Sequence, residues 1–188
     1  MSALVKTYQK PRLSVKAQTL SAIAATAGAV ILPQISHTLG AVTGLGTALG
    51  ETFLPMHLPI ILVGLLAGPY AGAAAGFFGP LVSFVLSGMP TAAMLPFMML
   101  ELCAYGLFAG LLRTVKMPTF GKVLTVQVAG RIVRAAAILF ALYALGAESV
   151  KVASIWLSVK TGLFGLCLQW ALIPLIVYRI ENLKKNEK

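Results

Sequence analysis

The sequence predicts an all-α integral membrane protein with six transmembrane helices. Hydrophobic residues occupy 59% of the 188 positions and charged residues only 11%, with a mean hydropathy of +0.90. A soluble domain is about 45–50% apolar and about 25% charged. No Lys, Arg, Asp or Glu occurs from residue 52 to residue 100, which is too long for one span because about 20 residues cross the hydrocarbon core. The composition excludes a soluble enzyme, and the length suits a single transmembrane domain over residues 1–188.

The first predicted span runs from Ala17 to Pro33 and follows a basic segment, residues 1–16. That segment is similar to the start of a signal peptide. The apolar stretch is longer than the about 7–15 residues of a cleavable signal, so we expect a retained helix. Residues 34–52 are rich in Gly and Thr and predict a long outer loop between helices one and two. This loop is either a lid or a passive connector.

Turn signals divide the rest of the chain into five more spans. Gly68-Pro69 and Ser87-Gly88-Met89-Pro90 each mark a turn, and the fourth helix ends near Arg113. Pro55 and Pro59 predict that the second helix starts late or kinks. The predicted spans are 53–68, 70–87, 92–113, 122–145 and 151–178, followed by a polar tail, residues 179–188.

Positive charge is distributed unevenly between the connecting segments. The net charge is +10, and the outer segments 34–52, 88–91 and 146–151 hold a single cation, Lys151. The inner segments hold Lys6, Lys10, Arg12, Lys16, Arg113, Lys116, Lys122, Arg179, Lys184, Lys185 and Lys188. The positive-inside rule therefore predicts that both termini are cytoplasmic. A nucleic-acid partner is not expected, because no basic stripe alternates with stacking aromatics.

Four ionisable residues fall inside the predicted spans: Glu101, Arg131, Arg134 and Lys160. A charge at the bilayer centre costs at least about 2.5–3.5 kcal/mol on insertion scales, so these side chains are expected to face protein or water. At 1.5 Å per residue, Glu101 and Lys160 lie roughly 14 Å below the outer ends of their helices, and Arg134 lies roughly 18 Å above its inner end. These three residues are thus expected at one level, with Arg131 one turn from Arg134 on the same face.

Two interpretations of these charges remain open. In one, Glu101 pairs with an arginine in a structural network. In the other, the three cations exceed the single carboxylate by two. This surplus of positive charge binds an anionic ligand, to which the planar guanidinium of Arg is suited, or contacts water entering from outside. Tyr105 lies at i+4 from Glu101 and Trp156 at i−4 from Lys160, so both are candidate pocket residues, and a membrane-anchoring role is the alternative.

His57 lies between Pro55 and Pro59, where the outer segment re-enters the membrane. Its ring offers one hydrogen-bond donor and one acceptor, which makes it a candidate ligand-binding residue, with a structural role as the alternative. Cys103 and Cys167 lie in apolar stretches and predict neither a disulfide framework nor a metal site. No nucleophile–base set or metal motif occurs in the sequence, so we expect no catalysis, cofactor or metal.

Helix one contains a ridge of small residues. Ala17, Ser21, Ala25 and Ala29 recur at intervals of four, a pattern that lets another helix approach closely in lipid. Ala24 and Gly28 form a second, adjacent row. We interpret the four-residue ridge as a docking surface for a partner protein.

With these features, the chain resembles the substrate-binding S component of an energy-coupling factor (ECF) vitamin transporter. The resemblance covers the whole chain and is most specific in residues 53–69 (FLPMHLPIILVGLLAGP), 79–90 (GPLVSFVLSGMP) and 94–101 (MLPFMMLE). It implies a subunit of the bacterial plasma membrane that binds a vitamin from outside and docks by its first helix and neighbouring helices on a membrane coupling protein, the T component. Two cytosolic ATPases then drive import, which agrees with the absence of a GxxxxGK[ST] loop from this sequence.

The sequence does not determine which vitamin is bound. The surplus cations favour a carboxylate or phosphate, and pantothenate is the first candidate by size and charge. Folate, niacin, pyridoxine and cobalamin are alternatives. A small secondary transporter is a rival class, although it usually shows internal repeats, and none is found between residues 1–94 and 95–188. A membrane-embedded enzyme is a second rival, and it lacks a catalytic set here.

Overall fold

The computed structural model describes residues 13–147 and 150–186, and this part of the chain is a bundle of α-helices. Six helices or helix pairs are long and apolar enough to cross a membrane, which confirms the predicted fold class. The helices are α1 (Val15–Val42), α2 (Ala48–Phe53), α3 (His57–Ala67), α4 (Pro69–Ser87), α5 (Leu95–Leu111), α6 (Thr119–Ala144) and α7 (Ala153–Asn186). Lys6, Lys10, Arg12 and Lys188, which were predicted to lie on the inner side of the membrane, fall outside the described residues.

The predicted outer loop is wrong over most of its length. Helix α1 continues past Pro33 to Val42, and α2 occupies Ala48–Phe53, so only residues 43–47 connect them. The Ser and Thr residues of this stretch fit a helix because their hydroxyls donate to carbonyls of their own helix. Ser36 Oγ donates to the Leu32 carbonyl at 3.2 Å, and Thr38 Oγ1 donates to the Gln34 carbonyl at 2.8 Å.

The second span consists of two helices, as the prolines predicted. Helices α2 and α3 are separated at Leu54, which has a left-handed backbone conformation (φ 49°). At the opposite end of the chain, α7 continues to Asn186, through most of the segment predicted as a polar tail.

Helix α5 packs closely against α3 and α4, because glycines remove the side chains between them. A Cβ atom on either Gly72 or Gly106 would collide with the backbone of the other. Gly64 and Gly110 lie in similar close contacts with neighbouring backbone. This packing buries α5 at the centre of the bundle, and side chains at its middle are sheltered from lipid.

The predicted docking ridge of α1 is partly inside the fold. Ala25 is 8% exposed and Ala29 is fully buried, and a Cβ on Gly79 of α4 would lie 3.2 Å from the Ala29 Cβ atom. Ala17 and Ser21 are half-buried. The small residues serve close packing within the monomer, so the free face of α1 is not the predicted ridge. That face contains Leu20, Ile23, Ala24, Ala27 and Ile31.

Candidate ligand-binding site

A cavity of about 370 Å³ opens at the end of the bundle where α1 meets α2. Its volume is near the lower end of the about 300–1,000 Å³ typical of ligand pockets. Helices α1, α2, α6 and α7 and the connection between α4 and α5 all contribute to its wall. The polar or charged lining residues are His37, Thr47, Glu51, His57, Ser83, Thr91, Arg131, Arg134, Ser154, Ser158 and Thr161.

Behind one wall of this cavity, the buried carboxylate of Glu101 binds two arginines and a tyrosine. Arg131 Nη1 lies 3.0 Å from Oε1, and Arg134 Nη1 lies 2.8 Å from Oε2. The Tyr105 hydroxyl donates to Oε1 at 3.0 Å. Only 1% of the Glu101 side chain is exposed, so these bonds compensate for the hydration that the carboxylate lost on burial. The predicted proximity of Glu101, Arg131 and Arg134 is therefore found.

The two guanidinium groups face the cavity with donors to spare. Both arginines line it, with 14% and 13% of their side chains exposed. Nε and Nη2 of Arg131 and Nε of Arg134 are buried without a hydrogen-bond partner among the described residues. Two guanidiniums against one carboxylate leave one net positive charge in this cluster. Glu51 also lines the cavity, but it is exposed on α2, where water screens its charge.

The backbone at the α2–α3 junction places His57 in the cavity wall. The His57 amide donates to the Leu54 carbonyl at 3.1 Å, and Gln169 Nε2 of α7 donates to the same carbonyl at 3.2 Å. Gln169 in turn accepts from Gln127 Nε2 of α6 at 3.0 Å. This buried amide chain ties the junction to α6 and α7.

The His57 side chain is 3% exposed, and neither ring nitrogen has a hydrogen-bond partner among the described residues. Its ring centroid lies 5.2 Å from that of Tyr105, beside the Glu101 cluster. A buried polar side chain without a partner costs free energy, which a ligand in the cavity can recover. His37 also lines the cavity and has a buried, unpartnered Nδ1. It had no predicted role because its segment was expected to be a loop.

Lys160 and Trp156 do not join this site. Lys160 is exposed, Trp156 is 75% exposed, and neither lines the cavity. The depth of Lys160 in the membrane was predicted by counting residues along the helix. Such a count does not determine whether a side chain faces the cavity or the outside of the bundle. Tyr105 is fully buried and does not line the cavity, and it contacts the site through Glu101 and the ring of His57. The expected surplus of two cations is thus reduced to one.

A comparison with protein families agrees with this architecture. A family model described as "ECF transporter, substrate-specific component" matches residues 15–178. The chain belongs to this family. No curated protein and no solved structure gave a match. As a substrate-specific component, the chain is a multi-pass membrane subunit of a transporter, and the family implies association with a T component and ATPases.

Three hydroxyl residues of this S component lie in the site but were missed from the sequence. Ser154, Ser158 and Thr161 of α7 line the cavity, and Ser158 Oγ accepts a hydrogen bond from Arg131 Nη1 at 3.3 Å. Their spacing of four and three residues, which places side chains on one helix face, was the available signal. Trp156 and Lys160, two residues beyond Ser154 and Ser158, point to the opposite side.

We expect Glu101→Gln to destabilise the ligand-free protein much more than Tyr105→Phe. The glutamine leaves two guanidiniums side by side without a counter-charge, and breaking a buried ion pair costs about 3–5 kcal/mol. The phenylalanine removes one hydrogen bond to a charged group, which costs about 1.5–3 kcal/mol. Thermal unfolding in detergent, followed by intrinsic fluorescence, measures both. Equal melting temperatures for the two variants would contradict the central role given to the carboxylate.

Proposed function

We propose that this S component captures a small anionic vitamin from outside the cell, with pantothenate as the first candidate. The single observation that supports this proposal is the net positive charge of the Glu101–Arg131–Arg134 cluster at the cavity wall. A low-dielectric site with one uncompensated cation favours a ligand that brings one negative charge. Nε and Nη2 of Arg131, both without a partner among the described residues, form the guanidinium edge that a carboxylate matches.

The cavity volume limits the size of the ligand. About 370 Å³ suits a short-chain or single-ring vitamin. It is small for a corrinoid, so cobalamin is disfavoured. Nicotinate remains a competitor on charge and size, and neutral pyridoxine leaves the cluster's positive charge unmatched. The family match supports an importer subunit over a secondary transporter or an enzyme.

The distribution of lysine and arginine supports the orientation. The end of the bundle opposite the cavity contains Lys16, Arg113, Lys116, Lys122 and Arg179. Among the described residues, the connecting segments at the cavity end hold one cation, Lys151. By the positive-inside rule the cavity then opens outward and both termini are cytoplasmic. A ligand would enter from outside, beneath α2, which contributes Gly50 and Glu51 to the cavity wall.

We expect Arg134→Ala to weaken pantothenate binding by about 2–5 kcal/mol, the range for truncating one partner of a buried charged contact. Glu101 keeps Arg131 and Tyr105 as partners in this variant, so the fold retains most of the cluster. Isothermal titration in detergent measures the affinity. Lys160→Ala is the matched control, because it removes a cation of the same span region that does not line the cavity, and it should bind like wild type. Unchanged affinity in folded Arg134→Ala would refute the anion site.

The second part of the proposal concerns docking on the T component and the two cytosolic ATPases. The exposed face of α1 contains Ala24 and Ala27 between larger apolar residues. Small residues on a lipid-facing helix allow a second helix to approach closely. We therefore assign docking to this face, in a register that differs from the Ala25–Ala29 row buried against α3 and α4.

We expect Ala24→Trp to abolish ATP-driven uptake while pantothenate binding by the isolated subunit stays intact. The indole would hold the two helices apart without entering the bundle. Uptake of labelled pantothenate into cells that contain the T component and both ATPases measures the first effect, and titration measures the second. Val128→Trp, at a 53% exposed position of α6, is the control and should transport normally. Normal uptake by Ala24→Trp would remove this face from the interface.

A further inference from the structure

The α7 side of the cavity presents a row of hydroxyl groups. Ser154, Ser158 and Thr161 line the cavity together with Leu157. Positions separated by four and then three residues lie on one face of an α-helix. The row therefore follows one face of α7 along the cavity, and its middle member, Ser158, contacts Arg131.

Each of these hydroxyls has already committed its only proton to the helix. Ser154 Oγ donates to the Lys151 carbonyl at 2.7 Å, and Ser158 Oγ donates to the Ile155 carbonyl at 2.9 Å. Thr161 Oγ1 donates to the Leu157 carbonyl at 2.9 Å. A carbonyl oxygen can only accept, so the hydroxyl must be the donor in each bond. The oxygens can therefore only accept further hydrogen bonds from the cavity. Ser158 Oγ already accepts one, from Arg131 Nη1.

The opposite polarity is found on the α6 side. The spare groups of Arg131 and Arg134 are N–H donors, and an arginine offers no acceptor. His57 also lines the cavity, where it is buried and neither ring nitrogen has a partner among the described residues. The cavity is thus divided into a donor side on α6 and an acceptor side on α7.

We propose that the ligand is a monocarboxylate that carries hydroxyl donors along the flank that faces α7. This inference rests on the proposed function, because the carboxylate is assigned to the arginines. An apolar flank would strip water from the α7 oxygens and leave them unsatisfied, which is unfavourable. The site therefore selects hydroxylated acids over acids that lack hydroxyl groups on this flank.

Hydroxyls that bond to their own helix also occur away from the cavity. Thr125 Oγ1 on α6 donates to the Gly121 carbonyl at 2.9 Å and is exposed on the bundle surface. Such bonds are common for Ser and Thr in membrane helices. The α7 row differs because all three members share one wall of a cavity that also contains an unpartnered buried histidine. Thr125 therefore supplies a matched control.

The first experiment compares four probes by isothermal titration against the full chain in detergent. Pantothenate has both a carboxylate and hydroxyl donors, and pantothenol keeps the hydroxyls but lacks the carboxylate. N-(3,3-dimethylbutanoyl)-β-alanine keeps the carboxylate but lacks the hydroxyls, and nicotinate is a carboxylate without hydroxyl or amide donors. We expect the hydroxyl-free amide and nicotinate to bind at least about tenfold more weakly than pantothenate.

The outcomes separate this inference from the proposed function. Equal affinity for pantothenate and its hydroxyl-free analogue, or tighter binding of nicotinate, overturns the donor flank and leaves the anion site standing. Pantothenol binding as tightly as pantothenate overturns the anion site and leaves the donor flank standing. Absence of binding by all four probes overturns the assigned ligand class.

The second experiment removes one acceptor. Thr161→Val preserves the side-chain shape but deletes the oxygen, and it should weaken pantothenate binding about fivefold or more. Binding of an analogue whose flank lacks hydroxyls should change little. Thr125→Val should leave affinity unchanged, and Ser154→Ala repeats the test if Thr161→Val does not fold. Wild-type affinity for pantothenate in the folded α7 variants would overturn the acceptor role of α7.

Discussion

The structure depends on one buried carboxylate. Glu101 lies on the most enclosed helix of the bundle, where an isolated charge would be very costly. Arg131, Arg134 and Tyr105 supply hydrogen bonds at 2.8–3.0 Å. Because both arginines come from α6, these bonds fix α6 against α5. They also turn two guanidinium groups towards the cavity.

Glycines near the Glu101 cluster leave the space that the cluster needs. Gly130 precedes Arg131, and a Cβ atom there would collide with the ring of Tyr105. The missing side chain lets the tyrosine lie against α6 and reach Glu101. Gly72 and Gly106 similarly let α4 and α5 meet backbone to backbone. Close packing at the glycines thus allows the charged cluster to form at the centre of the bundle. The net positive charge of the cluster then lies in the cavity wall.

Much of this arrangement could be predicted from the sequence. Most of the wrong residue assignments have one physical cause, the rotation of each helix about its own axis. Hydropathy and turn residues give the number and limits of the spans, and counting residues gives the common depth of Glu101 and Arg134. Rotation about a helix axis is not fixed by depth, so Lys160 and Trp156 were assigned to the site while Ser154, Ser158 and Thr161 were missed. The same uncertainty affected α1, where Ala24 and Ala25 are equally small but only Ala24 faces outward. Helix formation by residues 34–42 escaped prediction because Thr and Gly disfavour helices in water. In the structure the Ser36 and Thr38 hydroxyls bond to carbonyls of their own helix.

The most direct test of the account is the identity of the molecule that the protein retains. Native mass spectrometry of protein purified gently from cells grown in rich medium, followed by release and identification of the bound compound, reads this out without choosing a ligand in advance. The charge of the Glu101–Arg131–Arg134 cluster predicts a small compound with one negative charge at neutral pH. Retention of a neutral or cationic vitamin would contradict the account, because the surplus arginine charge would then have no partner.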